Sequence, residues 1–562
     1  MKKLKRRSLG VPIEGLSPLY SRIYAARGIT QKSEIEHSLA RLETPNALSG
    51  IDEAVTLLAS ILTHHKRIMI VGDFDADGAT SCALMVSGLR AMGAQHVDYL
   101  VPNRFEFGYG LTPEIVSVAR EKKPDLIITV DNGISSIKGV NYARQCNIDV
   151  LITDHHLPGK ELPNANAIVN PNQKNCKFSS KNLAGVGVAF YLLSALRKKL
   201  RENKWFENRL EPNMATYLDL VALGTIADVV SMDYNNRVLV QEGLRRMRAG
   251  KVRPGIQALL LLSGKNLSTL TSTDLAFGVA PRLNAAGRLD DISIGIECLL
   301  SEDETRAHLL ARKMDQFNLE RREIEAEMKQ QALQSLGEIY VSGDMAVGIC
   351  LFEKEWHQGV VGIVASRIKE KFHRPVIAFA PVSDSEMKGS ARSIPGLHIR
   401  DALDAIAARN PGLIDKFGGH AMAAGLSLHP DHYLKFKSEF DLEARQWLSA
   451  EDLEDVIISD GAYTDFKVRA VRELLQACPW GQGFSEPIFD DEFEIVEQRI
   501  VGGKHLKLKL RHLKEDRVLD GIAFNIDRLV EGRHRRVVYR VGVNEWRGRE
   551  TVQLIVESLD VE

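Results

Sequence analysis

From about residue 66 the chain alternates short apolar runs with amphipathic stretches, and this alternation constrains the fold more than any other feature. RIMIVG is followed by ATSCALMVSGLRAMG, HVDYLVP, PEIVSVAREKK, DLIITV, ISSIKGVNYARQ, IDVLIT and NAIVNP. An apolar run without polar alternation suits a strand covered on both faces, and the amphipathic segments between such runs supply the covering helices. The pattern therefore predicts an α/β fold built on a parallel sheet.

Three of these strands end in acidic or imidazole side chains. RIMIVG runs into Asp73, Asp75 and Asp77, DLIITV into Asp131-Asn132-Gly133, and IDVLIT into Asp154-His155-His156. In an open parallel sheet ligands gather at the carboxyl ends of the strands, where these residues fall. Carboxylates this close repel and raise one another's pKa unless a cation neutralises them. A fourth acid, Asp228, ends the apolar helical stretch ATYLDLVALGTIADVV, where a buried carboxylate needs a metal or a basic partner. Mostly carboxylate oxygen with one or two imidazoles suits manganese or magnesium better than zinc or copper. Two such ions about 4 Å apart support in-line phosphoester hydrolysis.

Downstream, a long charged stretch from Ser301 to Glu338 lacks helix breakers and predicts an extended helix joining two domains. A second α/β segment begins near Met345, with strands in AVGICLF, PVIAFAP and MKGSARSI, and closes on the glycine-rich GGHAMAAG. After about Asp452 short alternating runs such as HLKLKLRHL, VLDGIAFNI, RRVVYRVGVNEW and TVQLIVESL predict a small OB-fold-like β-barrel. This tail carries Lys504, Lys507, Lys509 and Arg511 at alternating positions, then Arg533, Arg535 and Arg536, a basic face that a nucleic-acid strand would need.

At 562 residues the chain is too long for one core. No apolar run approaches the roughly 20 residues of a membrane span. The start MKKLKRRSLGVPIEG has basic residues but no apolar stretch behind them, so a cytoplasmic protein without membrane association is expected. The six cysteines include no CxxC pair and read as reduced thiols. A net charge of -1 hides local patches and excludes nothing.

DFDADG, VDNG, the Asp154-His155-His156 triplet and ADVV resemble the four motifs of the DHH phosphoesterases, and GGHAMAAG resembles the signature of their companion DHHA1 domain. VGDFDADGAT, PNRFEFGYGL, PRLNAAGRL and WHQGVVGIVASR are similar in particular to the branch of that superfamily that degrades single-stranded DNA from its 5′ end. The resemblance implies an N-terminal extension (1–48), a DHH parallel-sheet domain (49–300), a connecting helix (301–340), a smaller α/β DHHA1 domain (341–450) and an OB-fold-like nucleic-acid-binding barrel (451–562). It implies a 5′ to 3′ exonuclease acting in recombination and repair with two divalent cations, Mn2+ or Mg2+. Asp75, Asp77, Asp131, His155 and Asp228 would be metal ligands, with Asp131 bridging. Asp73 would be a further ligand or supporting carboxylate, and His156 would face the substrate. Many relatives carry a histidine ligand where this chain has Val71, for which Asp73 would substitute.

Exonucleolytic polarity requires something to hold the strand's end, and a 5′ phosphate asks for arginine forks and hydroxyl or backbone donors. Ser390 and Arg392 of KGSARSIPG share one strand face; Asn284 and Arg288, Arg104, and His420 of the glycine-rich signature complete the expected substrate-binding group. Single-stranded DNA is the expected partner, with a single-strand-binding protein and a RecQ-type helicase implied by resemblance. The metal site alone would equally serve an oligoribonuclease, a cyclic-dinucleotide hydrolase or a pyrophosphatase, relatives that usually lack the β-rich tail. A catalytically dead scaffold is disfavoured because every expected carboxylate is present.

Overall fold

The computed structural model describes residues 2–102, 110–340, 346–559 and 561. Arg104 lies outside the described residues. Two compact units form, one from Arg6–Phe317 with Ser459–Leu559, the other from Asn318–Ile458 with the first few residues of the chain.

In the first unit, strands β1 (Ile68–Gly72), β2 (Val97–Leu100), β3 (Leu126–Val130), β4 (Asp149–Thr153) and β5 (Ala167–Val169) form one parallel sheet in the order β2-β1-β3-β4-β5. Every residue of β1 and β3 is buried, which explains why these runs carry no polar alternation. Alternate side chains divide between two layers. Met69, Val71, Ile127, Val150 and Ile152 pack with α2 (Pro113–Arg120) and α3 (Ile137–Gln145) on one face. Ile68, Ile70, Ile128 and Leu151 join the larger core that includes α1 (Ala76–Ala91), α4 (Gly185–Glu202) and α5 (Leu218–Ala227) on the other. Helices α6 (Tyr234–Arg248) and α7 (Ala280–Leu289) follow.

The charged stretch expected from Ser301 is one helix, α8 (Glu304–Tyr340), of 37 residues. In the second unit α9 (Val361–Phe372) accompanies a five-stranded mixed sheet of β6 (Ile349–Phe352), β7 (Val376–Ser383), β8 (Glu386–Arg392), β9 (Lys416–Gly419) and β10 (Ala423–Leu428), ordered β9-β10-β8-β7-β6.

The tail is a closed barrel of β11 (Phe489–Val501), β12 (His505–His512), β13 (Arg517–Ala523), β14 (His534–Trp546) and β15 (Arg549–Ser558), ordered β11-β12-β13-β15-β14. The four expected runs are all strands. The fifth, β11, opens FDDEFEIVEQ, and its acids mask it. Asp490 and Asp491 are nevertheless buried: Asp490 accepts from Arg6 and Ser459, and Asp491 from the Tyr539 hydroxyl at 2.7 Å. Along β12 buried Leu506, Leu508 and Leu510 alternate with outward Lys507, Lys509 and Arg511. Lys504 precedes the strand, in the turn. Lys509 pairs with Asp520, and Arg511 with Glu494 and Asp516, so part of this basic face is already neutralised.

The barrel shares the first unit's core. Tyr24 stacks on Trp480 and Phe484, and Arg27 forms a bidentate pair with Asp460 at 2.8 and 2.9 Å. Among the described residues no helix is long and apolar enough to cross a membrane.

Candidate metal centre

The turn after β1 leads directly into α1. Asp75 is that helix's N-cap, its Oδ1 accepting the Gly78 N–H at 2.9 Å, so the acid-rich spacing is itself a helix-start signal. Asp77, in the first turn, is buried, and its two oxygens accept the N–H groups of Gly185 (2.6 Å) and Val186 (3.0 Å) at the start of α4. Burial, then the charges of Asp228 and Asp75, push its pKa well above the usual carboxylate range despite those two donors.

Asp131 follows β3 in the left-handed region at φ 61°, a conformation Asp tolerates better than most residues. Helix α4 begins against it with glycine: a Cβ on Gly185 would stand 2.6 Å from the Cβ of Asp131. Burial raises the Asp131 pKa well above normal, and Asp77, Asp75, Asp228 and Asp73 add to it.

His155 follows β4. Its Nε2 lies 3.1 Å from Asp131 Oδ1 and 3.5 Å from Asp228 Oδ2, Asp228 being the residue that caps α5. Burial, reinforced by Asp75 and Asp154, raises the Asp228 pKa against the opposing pull of His155 and His156. Three sets of donor atoms lie within 4.8 Å of one another: Asp77, His155 and Asp228; Asp73, Asp75 and Asp131; and Asp131, His155 and His156.

These residues fit a divalent metal. His155 Nε2 and Asp228 Oδ2 are buried atoms 3.5 Å apart, and among the described residues neither makes a hydrogen bond that meets geometric criteria. Like-charged carboxylates held this close need protons or cations to relieve their repulsion, and an oxygen-rich donor set with imidazole suits Mn2+ or Mg2+. Val71 is fully buried in the sheet and offers no ligand atom, whereas Asp73 stands among the candidate donors.

His156 is held differently. Its Nδ1 lies 2.7 Å from Asp154 Oδ1. Burial opposes its protonation, but the Asp154 hydrogen bond and charge outweigh that, raising its pKa to about 9. Asp154 also accepts the N–H groups of Ile134, His155 and His156; these contacts, with the His156 hydrogen bond foremost, outweigh burial and keep its pKa low. The side-chain amides of Asn170 and Asn172 donate to the carbonyls of His156 (2.9 Å) and His155 (2.5 Å), and Asn132 bridges the carbonyls of Val71 and Val130. Asp154 and these asparagines hold the centre's backbone; the sequence places Asp154 and Asn132 at strand ends without revealing these bonds, and Asn170 and Asn172 read only as turn formers.

Of the expected substrate-binding residues, Asn284 lies beside the centre, its Oδ1 accepting the Ala76 N–H at 2.9 Å. Helix α7 presses closely here, since a Cβ on Gly287 would stand 1.9 Å from the Phe74 carbonyl oxygen; Arg288 is the next residue, half-buried. Ser390, Arg392 and His420 belong to the second unit. The Arg392 guanidinium donates to Ser390 Oγ (3.1 Å) and the Ala391 carbonyl (2.8 Å), burial lowers its pKa, and a Cβ on Gly362, in the first turn of α9, would stand 2.9 Å from its Nη2. Among the described residues no carboxylate pairs with it. His420 is exposed in the turn between β9 and β10, its N–H bonded to the Ala423 carbonyl.

The DHH family N-terminal-domain model matches residues 67–225, the DHHA1 domain model residues 343–446 and the RecJ OB domain model residues 461–558. The chain is 53% identical over 555 residues to the single-stranded-DNA-specific exonuclease RecJ of Dickeya dadantii, covering 97% of this chain and 96% of that protein. It is 48% identical to the Escherichia coli protein of the same name, covering 99% of each. Among solved structures, RecJ of Thermus thermophilus in complex with Mn2+ superposes with a TM-score of 0.80 at 30% identity, covering 99% of this chain and 79% of that one. The corresponding Mg2+ complex gives 0.75 at 28% identity, covering 100% and 79%.

Proposed function

Because the chain belongs to the RecJ family of single-stranded-DNA-specific exonucleases, we propose from that premise how its residues divide the work. It is a metal-dependent nuclease with DHH, DHHA1 and OB domains, its substrate is single-stranded DNA, and its cofactors are Mn2+ or Mg2+. Asp75, Asp77, Asp131, His155 and Asp228 would hold two cations, with Asp131 available to both and Asp73 standing in for the ligand that Val71 cannot be. The observation that carries this assignment is the convergence of one helix end and three strand ends on three overlapping sets of donor atoms, those within each set no more than 4.8 Å apart.

Bound there, two divalent cations supply Lewis acidity at the scissile phosphate and lower the pKa of attacking water. The protein's own part is orientation and proton handling. Asp154 fixes the ring of His156 through Nδ1, leaving Nε2 to face the substrate. The hydrogen bond to the Asp154 carboxylate favours the cationic ring, which can stabilise the phosphate's charge and protonate the leaving oxygen.

Cleavage runs 5′ to 3′ in this reading, with Ser390 and Arg392 receiving the terminal phosphate and Arg104, Asn284, Arg288 and His420 completing the substrate contacts. The buried guanidinium beside the first turn of α9 supports it, since both favour an anion. The domains divide at 1–48, 49–300, 301–340, 341–450 and 451–562. The protein works in the cytoplasm in recombination and repair, alongside a single-strand-binding protein and a RecQ-type helicase. Digestion of end-labelled single strands, with and without a 5′ phosphate and against duplex controls, tests the reading: mononucleotides should leave the 5′ end of single strands only, and release from the 3′ end or equal attack on duplex would overturn it.

A further inference from the structure

Asp228 ends α5, its N–H bonded to the Gly224 carbonyl, and the chain then reverses through Val229 at φ 61°. A β-branched residue in the left-handed region is strained and persists only where its surroundings over-determine it. Val229 does not supply that restraint, because its side chain is 63% exposed. Restraint comes from the residues just beyond, between Val229 and the start of α6.

Met232 is buried and held at both ends of its peptide unit. Its N–H donates to the Gln482 carbonyl at 2.7 Å, and its carbonyl accepts from Arg237 Nη1 at 2.9 Å. The Gln482 turn is narrow, with Gly481 and Phe484 exchanging backbone hydrogen bonds at 3.0 and 3.1 Å. It lies close against the loop. A Cβ on Gly481 would stand 2.7 Å from Met232 Cγ, and one on Gly483, at φ 71°, 2.4 Å from Ser231 Oγ. Phe484 covers the Arg237 guanidinium at 4.3 Å and stacks on Trp480, whose carbonyl accepts from Ser272 Oγ. On the other side Asn236 Nδ2 holds the carbonyls of Ser231 and Asn182, and Asp233 caps α6.

We propose that the Gly481–Phe484 turn, at the entrance to the C-terminal barrel, is a positioning element of the metal centre: with Arg237 it clamps the Val229–Met232 loop so that Asp228 presents its carboxylate to the metal. The clamp rests on the assignment of Asp228 as a ligand. It makes the barrel part of the catalytic machinery as well as a surface for DNA, so damage at its base is felt at the metal even when the substrate is too short to touch the barrel.

The test uses the full-length protein with Arg237→Met, Arg237→Lys, Phe484→Ala and, as a ligand control, Asp228→Ala. Mn2+ binding is read directly from the free-ion electron paramagnetic resonance signal, thermal unfolding reports folding, and kcat and KM are measured on a trinucleotide. Residues behind metal ligands typically contribute 10–100-fold to affinity. Arg237→Met and Phe484→Ala should weaken Mn2+ binding about tenfold and lower kcat with little change in KM, while Arg237→Lys, which keeps a donor for the Met232 carbonyl, recovers most of both. Folded Arg237→Met protein with unchanged Mn2+ affinity would overturn the clamp, as would a loss that Arg237→Lys shares in full. If Asp228→Ala itself binds Mn2+ normally, the ligand assignment fails instead. Should Phe484→Ala not fold, the two Arg237 variants decide.

Discussion

Replacing Asp131 by asparagine should stabilise the metal-free protein while abolishing hydrolysis. Asparagine keeps the shape and tolerates the left-handed backbone at φ 61°, which alanine would not, so the change isolates charge. Two carboxylate charges about 5 Å apart repel by about 3 kcal/mol at an effective dielectric constant near 20, and Asp131 feels Asp73, Asp75, Asp77 and Asp228 together. Proton uptake relieves part of this, leaving an expected gain of about 1–3 kcal/mol. The sign with pH follows. Asp77, Asp131 and Asp228 have folded-state pKa values raised above their unfolded values, so the metal-free native state binds the extra protons, and its stability falls as pH rises from about 4 through those raised values. Calorimetric unfolding in chelator at pH 8 should therefore show a higher Tm for Asp131→Asn than for the parent, and a smaller difference at pH 5. Added Mn2+ should raise the parent's Tm, by about 2.7 kcal/mol of stability at a hundred times the dissociation constant, and the variant's far less. A metal-free variant less stable than its parent, or one retaining near-normal turnover, would refute the repulsion argument and the shared-ligand role respectively.

Arg392→Ala should cut turnover on 5′-phosphorylated strands by one to a few orders of magnitude and affect strands without that phosphate much less, the loss expected when a desolvated charged interaction of about 1.5–3 kcal/mol or more is removed; equal losses on both would place end recognition elsewhere. Asp154→Asn keeps an acceptor for the His156 ring but removes the carboxylate charge that raises its pKa, so the alkaline limb of kcat/KM, which falls as His156 deprotonates, should move down; an unmoved limb would exclude His156 as the proton donor. Lys507→Ala should weaken binding of long single strands and reduce the slope of log affinity against log salt by about one for each phosphate no longer neutralised, with trinucleotide hydrolysis unchanged; an unchanged slope would mean that this face of the barrel does not touch DNA. Point changes are the instrument here because deleting the tail would expose Tyr24 and other side chains of the first unit's core.

The parallel sheet, its order of elements and the metal centre were legible along the chain because each is encoded locally. A buried parallel strand must be apolar throughout, its carboxyl end is where ligands gather, and the Asp73, Asp131 and Asp154 motifs each directly follow such a run. The long helix and four barrel strands were legible for the same reason, since period and breakers are properties of neighbouring residues. What local pattern does not contain is partnership. Strand β11 hid behind acids whose burial is tolerated because groups such as Arg6, Ser459 and Tyr539 reach them from elsewhere in the chain. Asp77 reads as one acid among three until α4 brings the Gly185 and Val186 N–H groups to it, and nothing along the chain places the Asn284 Oδ1 on the Ala76 N–H. The sharing of one core by the barrel and the catalytic sheet, and the hold of Gln482 on the loop behind Asp228, join residues far apart in the chain. Burial, hydrogen-bond satisfaction and close approach are decided by which distant groups meet, and only the folded chain determines that.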